Sequence, residues 1–271
     1  MKPPKEIPWK SFEGLLSRPN AQQEFQDRTS QLQKLSKAAE SGEPRKADEN
    51  KDSMIRKVSS MANRIAWGKE LKFKKGDSAV LVPLLERKNQ PHLLFTQRSF
   101  QLRAHRGEIC FPGGRMDQGE SPEETALREA EEEVGLQPSD VTLWGRLPAM
   151  FTRQLTFVQP VVGLIDETTA LKLYPQTDEV QTVFLTPLAE LVLSTSYTGF
   201  RVGKNVFHMP LYYTEHYEVI SKTANAVESH DHRQKIWGLS AGITTEALAV
   251  LSPEPWSDNF VKVEKHKPLD A

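Results

Sequence analysis

The loop–helix–loop stretch at residues 113–136 constrains the fold of this chain more than any other feature of its sequence. Ser121 can cap a helix, Pro122 suits the first helical position, and Glu124 stands three residues after the cap, where it completes a capping box. Gly135 can adopt the left-handed conformation that ends a helix. These signals predict a helix with well-defined ends between Ser121 and Gly135.

The predicted helix, Pro122–Val134, carries acidic residues in its last turn as well as in its first. Glu129 and Glu133 stack one turn apart, and Glu132 lies beside them. Acids near a helix C-terminus oppose the helix dipole by roughly 0.3 to 1 kcal/mol each, so local stability does not explain them. A solvated charged face is one interpretation, because exposed like-charge pairs cost only about 0.2 to 0.5 kcal/mol. A site for a hard divalent cation is the other, since carboxylates at these spacings supply several oxygen ligands.

The same stretch resembles the Nudix box, the motif of a family of metal-dependent pyrophosphohydrolases. The box reads G-x5-E-x7-R-E-U-x-E-E-x-G-U, where U is a bulky aliphatic residue, and it is matched by Gly114, Glu120, Arg128, Glu129, Glu132, Glu133, Gly135 and Leu136. Ala130 is the one departure, at a position without a charged role. The resemblance implies an α/β (α+β) Nudix fold, in which a mixed β-sheet is sandwiched between helices, and a cofactor of Mg2+ or Mn2+.

The resemblance also implies roles for individual residues. The metal-binding carboxylates would be Glu129, Glu132, Glu133 and Glu120. Arg128 would orient a glutamate by ion pairing, and an exposed pair with Glu124 or Glu132 is the alternative. Family members differ in which glutamate is the general base, and Glu179, just before a predicted strand, is a candidate. The catalytic set implied in this way is Glu129, Glu132, Arg128 and Glu179.

A second pattern, upstream of the box, resembles the signature of coenzyme A diphosphatases, a branch of the same family. The signature reads L-L-T-x-R-S-x3-R-x3-G-x3-F-P-G-G and is matched from Leu94 to Gly114, with Phe95 in place of its second leucine. The resemblance implies hydrolysis of coenzyme A or its thioesters to 3′,5′-ADP and 4′-phosphopantetheine or the acylated form. The substrate contacts would be Arg98, Arg103, Gly113 and Gly114. Pairing of these arginines with nearby glutamates is the alternative.

Two further hypotheses about activity stay open at this stage. The same scaffold can act on another nucleoside diphosphate derivative, or it can serve as a non-catalytic Nudix-like binding module. The run Ile236–Ala241 is similar to the animal mitochondrial members of the coenzyme A branch, and Trp237 and Leu239 within it are expected to belong to the core. The resemblance thus implies a mitochondrial address, with the cytosol as the alternative, and Pro268–Ala271 is not a peroxisomal signal.

Composition narrows the class of partner. The 35 basic and 36 acidic residues give a formal net charge of −1, which argues against a polyanion-binding surface and so against a nucleic-acid partner. No apolar run approaches the roughly 20 residues of a membrane helix. The single cysteine, Cys110, excludes an intrachain disulfide and is expected to be a small buried residue rather than a nucleophile. A small-molecule substrate is therefore expected, and the sequence leaves the oligomeric state open.

The chain divides by composition into an N-terminal extension over residues 1–75, a hydrolase domain over 76–255 and a tail over 256–271. Within the extension, residues 12–35 suit a marginal helix more than a core element, and residues 36–53 read as a disordered linker. Residues 54–69 suit a cationic helix packed on the domain, with a transit-like helix as the alternative. The domain shows strand patterns at Ser78–Leu85, His92–Arg98, Val141–Leu147, Val158–Ile165 and Val180–Leu185, and a second helix at Leu239–Leu251.

Overall fold

The structure is a computed structural model. This structure describes residues 16, 19–39, 73–152, 156–202, 205–227, 232–251 and 262–265. The helices are α1 (Ala21–Ala39), α2 (Pro122–Val134), α3 (Glu167–Ala170), α4 (Leu188–Leu193) and α5 (Gly238–Leu251), with a 3-10 turn at Pro138–Asp140. The strands are β1 (Ser78–Arg87), β2 (Gln90–Arg98), β3 (Ile109–Cys110), β4 (Gly113–Arg115), β5 (Val141–Arg146), β6 (Met150–Phe151), β7 (Phe157–Ile165), β8 (Val180–Pro187), β9 (Thr195–Val202), β10 (Asn205–Thr214), β11 (Glu218–Lys222), β12 (Gln234–Ile236) and β13 (Lys262–Lys265).

The main sheet is mixed. Its strands run in the order β11-β8-β2-β1-β7-β5, and the short strands β3, β4 and β6 pair with β2, β1 and β7 respectively. The β1–β7 pair is parallel, and β1 pairs antiparallel with both β2 and β4. A second sheet joins β12, β10 and β13, with β9 paired to β10. Because β4 pairs with the central strand β1, the glycine loop before α2 is attached to the middle of the sheet.

Two hydrophobic clusters cover the two faces of the main sheet. One lies under α2, whose Ala126, Ala130 and Val134 are fully buried against Leu81 and Val161 of the sheet. The other cluster includes residues of α4, α5, β10 and β12 together with the opposite face of the sheet. The predicted sandwich of a mixed sheet between helices is confirmed, and Ala130 fits closely where the family has a larger residue.

The predicted elements of the domain are found with small changes at their ends. All five predicted strands are present, as β1, β2, β5, β7 and β8, and both predicted helices are present, as α2 and α5. Strands β9 to β12 and the short strands were not predicted from the sequence. Among the described helices, none is both long and apolar enough to cross a bilayer.

The N-terminal segment differs from its prediction. Helix α1 continues to Ala39, four residues into the expected linker, and Phe25 on its inner side is only 2% exposed. Phe25 packs against Trp144 with ring centroids 5.7 Å apart, so the expectation that this segment stays out of the core is wrong. In addition to this aromatic contact, side chains of α1 donate hydrogen bonds to backbone carbonyl oxygens of the domain. The remainder of the predicted linker and the predicted cationic helix at 54–69 lie outside the described residues.

Candidate active site

The start and end of α2 are formed by the predicted residues. The Ser121 side chain accepts a hydrogen bond from the Glu124 amide, and the Glu124 carboxylate accepts from the Ser121 amide at 2.8 Å. Gly135 ends the helix with φ of 74°, in the left-handed region. The capping box and the glycine stop are thus confirmed. They fix the rotation of α2, and therefore which of its carboxylates face the glycine loop.

Two carboxylates of α2 lie against that loop. The Glu133 carboxylate accepts a hydrogen bond from the Gly113 amide at 3.2 Å, and its residue is 6% exposed. The Glu129 carboxylate occupies the space next to Gly114, where a Cβ atom would overlap it. Gly113 has a φ of 154°, and a Cβ there would overlap the Ala79 carbonyl oxygen. The two glycines therefore permit the contact between β1, β4 and α2, and any side chain at Gly114 displaces Glu129.

The two carboxylates are held where their protonated forms are favoured. Loss of solvation raises the pKa of Glu133 to about 8, against the opposing effects of the Gly113 amide and the Arg98 charge. Burial also raises the pKa of Glu129, although Arg128 works in the opposite direction. Charges withdrawn from water in this way gain most from a cation placed beside them. The site thus disfavours the ionised forms of these two carboxylates unless a cation binds beside them.

Arg128 lies at the centre of an ion-pair network on the outer side of α2. Its Nε donates to Glu120 Oε1 at 2.7 Å, and its Nη1 donates to Glu129 Oε1 at 2.9 Å and to Glu132 Oε2 at 3.3 Å. Its Nη2 also donates to the Arg115 carbonyl oxygen at 3.1 Å, which ties the helix to β4. Arg128 therefore contacts three of the four predicted metal-site carboxylates. Its contact with Glu132 is one of the two ion pairs that were the alternative prediction for Arg128.

Glu120 is the most firmly bound of these carboxylates. In addition to Arg128 it accepts hydrogen bonds from the Asp117 amide at 2.9 Å and the Thr125 hydroxyl at 2.7 Å. The Arg128 hydrogen bond, with these two contacts, lowers the pKa of Glu120 to about 2. Glu120 is thus ionised at every physiological pH. Its geometry fits a supporting residue that fixes Arg128 and the loop before α2.

Arg98 and Glu179 form an ion pair beside Glu133. Arg98 Nη2 lies 3.0 Å from Glu179 Oε2, and the two side chains are 24% and 56% exposed. The chain before Glu179 is attached to the end of α2, because the Gln176 amide donates to the Glu133 carbonyl oxygen at 2.8 Å. Arg98 was predicted to contact substrate, with pairing to a nearby glutamate as the alternative. In the structure Arg98 pairs with Glu179.

Arg103 has a different environment from Arg98. It lies on the exposed loop between β2 and β3, and among the described residues no hydrogen bond or ion pair involves its guanidinium. His105 on the same loop is paired with Glu108 at 2.9 Å. Of the two arginines predicted to contact substrate, Arg103 is therefore the one whose charge is exposed to solvent.

The side chains present fit an oxygen-preferring divalent cation. Within the described residues, no three histidine, cysteine, aspartate or glutamate side chains converge closely enough to enclose an ion. The donors are nonetheless all carboxylate oxygens, and two of them are withdrawn from water at a glycine loop, which is the chemistry that Mg2+ and Mn2+ favour.

Several residues around the site behave differently from their predictions or were missed. Trp237 and Leu239 were expected in the core, but they are 47% and 37% exposed, whereas the neighbouring Ile236 is buried. Glu123, for which the sequence indicated no role, pairs with Arg146 at 2.7 Å. Desolvation raises the pKa of Cys110 to about 11, so it is a neutral thiol, as its interpretation as a non-nucleophile requires.

Comparison with known proteins agrees with this geometry. A sequence profile of the NUDIX domain matches residues 75–201. The chain is 39% identical to Nudix hydrolase 3 of Caenorhabditis elegans over 68% of this chain and 76% of that protein. It is 35% identical to the human mitochondrial coenzyme A diphosphatase NUDT8 over 68% and 72%, and 46% identical to the mouse peroxisomal coenzyme A diphosphatase NUDT7 over 41% and 46%.

These similarities, with the box and the fold around it, show that the chain belongs to the Nudix hydrolase family. It is a pyrophosphohydrolase of that family, whose members act on small-molecule substrates and use divalent metal ions.

Proposed function

We propose that the chain hydrolyses the pyrophosphate bond of coenzyme A or acyl-coenzyme A to 3′,5′-ADP and 4′-phosphopantetheine or its acylated form. The observation that carries the proposal is the position of the upstream signature. Its last two residues, Gly113 and Gly114, touch the carboxylates of Glu133 and Glu129. The signature and the Nudix box thus form one site. Two relatives named as coenzyme A diphosphatases support the same substrate.

We propose Mg2+ or Mn2+ as the cofactor, held by Glu129, Glu132 and Glu133, with Glu120 supporting them. A divalent cation at this site neutralises phosphate oxygens and lowers the pKa of water. Other groups of the protein hold the metal-binding carboxylates in position. Arg128 fixes Glu129 against Gly114, and the Gly113 amide fixes Glu133, so the substrate meets carboxylates whose positions are already set.

Glu179 is the group that we propose as general base. It lies just before β8, and its side chain is 56% exposed, so a water molecule can reach its free oxygen. A base must lie within hydrogen-bond reach of the proton that it removes, and a carboxylate at the rim of the phosphate site meets that requirement. Its proton would come from the water that attacks the pyrophosphate.

Arg103 is the residue that we propose for the 3′-phosphate of coenzyme A. An exposed arginine with no competing carboxylate can bind a phosphate through two parallel hydrogen bonds. If this is correct, Arg103→Ala weakens binding of coenzyme A by roughly 1.5 to 3 kcal/mol and has little effect on dephospho-coenzyme A. Equal losses on the two substrates would reject the contact.

The proposal is tested with a panel of pyrophosphate compounds, Mg2+ or Mn2+, and heavy-oxygen water, with products identified by mass. Coenzyme A is expected to give 3′,5′-ADP and 4′-phosphopantetheine as the only nucleotide and pantetheine products. Release of a thiol from acyl-coenzyme A, or of free 3′-phosphate, would reject the reaction. Faster turnover of a nucleotide sugar or a capped end would favour the alternative, a Nudix hydrolase of another nucleoside diphosphate derivative. A lack of metal-dependent turnover on every compound would favour a binding module.

We also propose a mitochondrial location, which the human relative supports and the mouse relative, a peroxisomal protein, does not. Imaging of the full chain with a C-terminal fluorescent fusion in animal cells tests this. Co-localisation with a mitochondrial marker is expected, and a cytosolic or peroxisomal pattern would reject it.

A further inference from the structure

Arg98 is held in place by its backbone as well as by its side chain. Its amide donates to the Glu108 carbonyl oxygen at 2.9 Å, and its own carbonyl oxygen accepts from the Gly107 amide at 3.1 Å. The next residue, Ser99, donates to the Glu179 carbonyl oxygen at 2.7 Å. Arg98 thus joins the loop that leads to the active site to the start of β8.

The strand pairing shifts at this residue. β2 and β8 pair in regular antiparallel register up to Gln97, and between Gln97 and Arg98 the register slips, so that Arg98 faces Val180. Such bulges redirect one side chain and are common beside active sites. Here the bulge brings the guanidinium of Arg98 to the residue before Val180, which is Glu179.

The Arg98 guanidinium is directed into the protein. Its Nε is buried and has no hydrogen-bond partner among the described residues, while its Nη2 donates to Glu179. Arg98 is 24% exposed and Glu179 is 56% exposed. A half-exposed pair of this kind contributes only about 0 to 1 kcal/mol to stability, so the bulge and the pairing need another explanation.

We propose that Arg98 is a positioning residue for Glu179 rather than a contact for the 3′-phosphate of coenzyme A. The inference rests on the proposed role of Glu179 as general base. Arg98 holds one carboxylate oxygen of Glu179 and leaves the other free to accept a proton from water. It thereby fixes a side chain that would otherwise rotate freely at the rim of the site, away from the carboxylates on α2.

A double-mutant cycle on the full chain tests this inference. We expect Arg98→Ala to lower kcat by on the order of 10²-fold and to change KM less than about twofold. The loss should be the same on coenzyme A and on dephospho-coenzyme A, because Glu179 acts at the pyrophosphate. Glu179→Gln should lower kcat at least as much. The double variant should be no slower than Glu179→Gln alone, within about threefold, because on this inference Arg98 contributes to kcat through Glu179 and not through Glu133, on which its charge also acts.

Binding of 3′,5′-ADP, measured by calorimetry without metal, separates positioning from substrate contact. The dissociation constant should be unchanged in Arg98→Ala and should rise in Arg103→Ala, if that residue holds the 3′-phosphate. Arg146→Ala is the matched control, because it removes another arginine–glutamate pair on α2 and should leave kcat unchanged. Arg98→Lys keeps one charged contact and should recover most of kcat, which also provides a measurement if Arg98→Ala does not fold.

Three results would overturn the inference. The first is a multiplicative loss of kcat in the double variant, since it would show that Arg98 acts independently of Glu179. The second is a loss confined to coenzyme A together with weaker 3′,5′-ADP binding, which would make Arg98 a phosphate contact. The third is a normal rate in Glu179→Gln. None of the three affects the proposed substrate, which is tested by metal-dependent turnover of the unaltered chain.

Discussion

Helices α1 and α2 both cover the main sheet, but they are attached to it in different ways. Helix α2 buries a continuous strip, Ala126, Ala130 and Val134, under the sheet and presents carboxylates on its other side. Helix α1 buries Phe25 and Thr29 and packs Ala21 against the same cluster, and among its described side chains Gln22, Gln26 and Arg28 donate hydrogen bonds to backbone carbonyl oxygens of the domain. The buried strip of α2 can be predicted from the helical spacing of its apolar residues. The burial of α1 cannot be predicted in this way, because its buried aromatic residue, Phe25, lies within a polar segment.

Because the two helices are attached differently, we expect changes on them to affect turnover and stability separately. Changes at the carboxylates of α2 that face the glycine loop should affect turnover and leave the fold intact, whereas changes on the inner face of α1 should affect the fold and leave the chemistry intact. The following predictions, in order of decreasing effect, test that separation.

The largest effect is expected at the α2 carboxylates. Glu129→Gln or Glu133→Gln should lower turnover by on the order of 10³ or more, because each removes a charge from the metal site without changing its shape. Steady-state kinetics with Mg2+ measure it, and circular dichroism should show an unchanged fold. Glu131→Gln, on the exposed side of the same helix, is the control and should keep normal activity. Normal rates in both variants would reject the metal assignment.

The next effect is expected at Phe25. Phe25→Ala should lower the free energy of unfolding by about 3 kcal/mol, because it leaves a cavity against Trp144. Chemical denaturation measures the loss. Gln23→Ala is the control on the exposed side of α1, where Gln23 contacts only Asp27 within its own helix. A loss below about 1 kcal/mol would show that α1 is not part of the core.

Deletion of residues 1–53 extends this test. The sequence predicts that activity stays within a fewfold, and the structure adds that the shortened chain should be less stable than Phe25→Ala, because the whole α1 surface is lost. Turnover per folded molecule, measured well below the melting temperature, should therefore stay within a fewfold. A lower kcat in a demonstrably folded deletion variant would contradict the separation.

The pH dependence of stability comes next, and for one pH unit it is smaller than the loss expected at Phe25. Because burial raises the pKa of Glu133 to about 8, the folded protein holds a proton that the unfolded chain releases near pH 4.5. The contribution of Glu133 to stability is therefore present below about pH 4.5 and is lost as pH rises to about 8, by at most about 1.4 kcal/mol per pH unit. Denaturation at several pH values with a chelator measures it. The Glu133→Gln variant should lack this component, and identical curves for the two proteins would refute the prediction.

The smallest effect is expected at the start of α2. Ser121→Ala removes the hydroxyl that accepts from the Glu124 amide and should cost about 1 kcal/mol of stability. Turnover at saturating metal should stay near normal, because the cap lies away from the carboxylates. Denaturation and kinetics of one preparation measure both quantities. A large loss of turnover with unchanged stability would mean that the cap positions the site directly.

Local signals account for the parts of the structure that the sequence predicted well. The capping box and Gly135 fix the ends of α2, and alternation or apolar runs mark five strands. The β9–β10 hairpin was not predicted, although aromatic and β-branched residues flank a glycine there. The Arg98–Glu179 pair and the burial of Phe25 have no local signal. Both depend on residues far apart in sequence, joined by β-pairing or by packing, so periodicity cannot reveal them.

The ion pairs of Arg128 affect how the protein folds before it binds a metal. Its guanidinium partly neutralises Glu120, Glu129 and Glu132, so α2 can form without a cation to relieve their repulsion. We expect the newly made chain to fold first and to acquire its metal afterwards, unlike small zinc domains that stay unfolded until they are loaded. The supply of metal in the cell would then control how many folded molecules are active, and not how many survive synthesis.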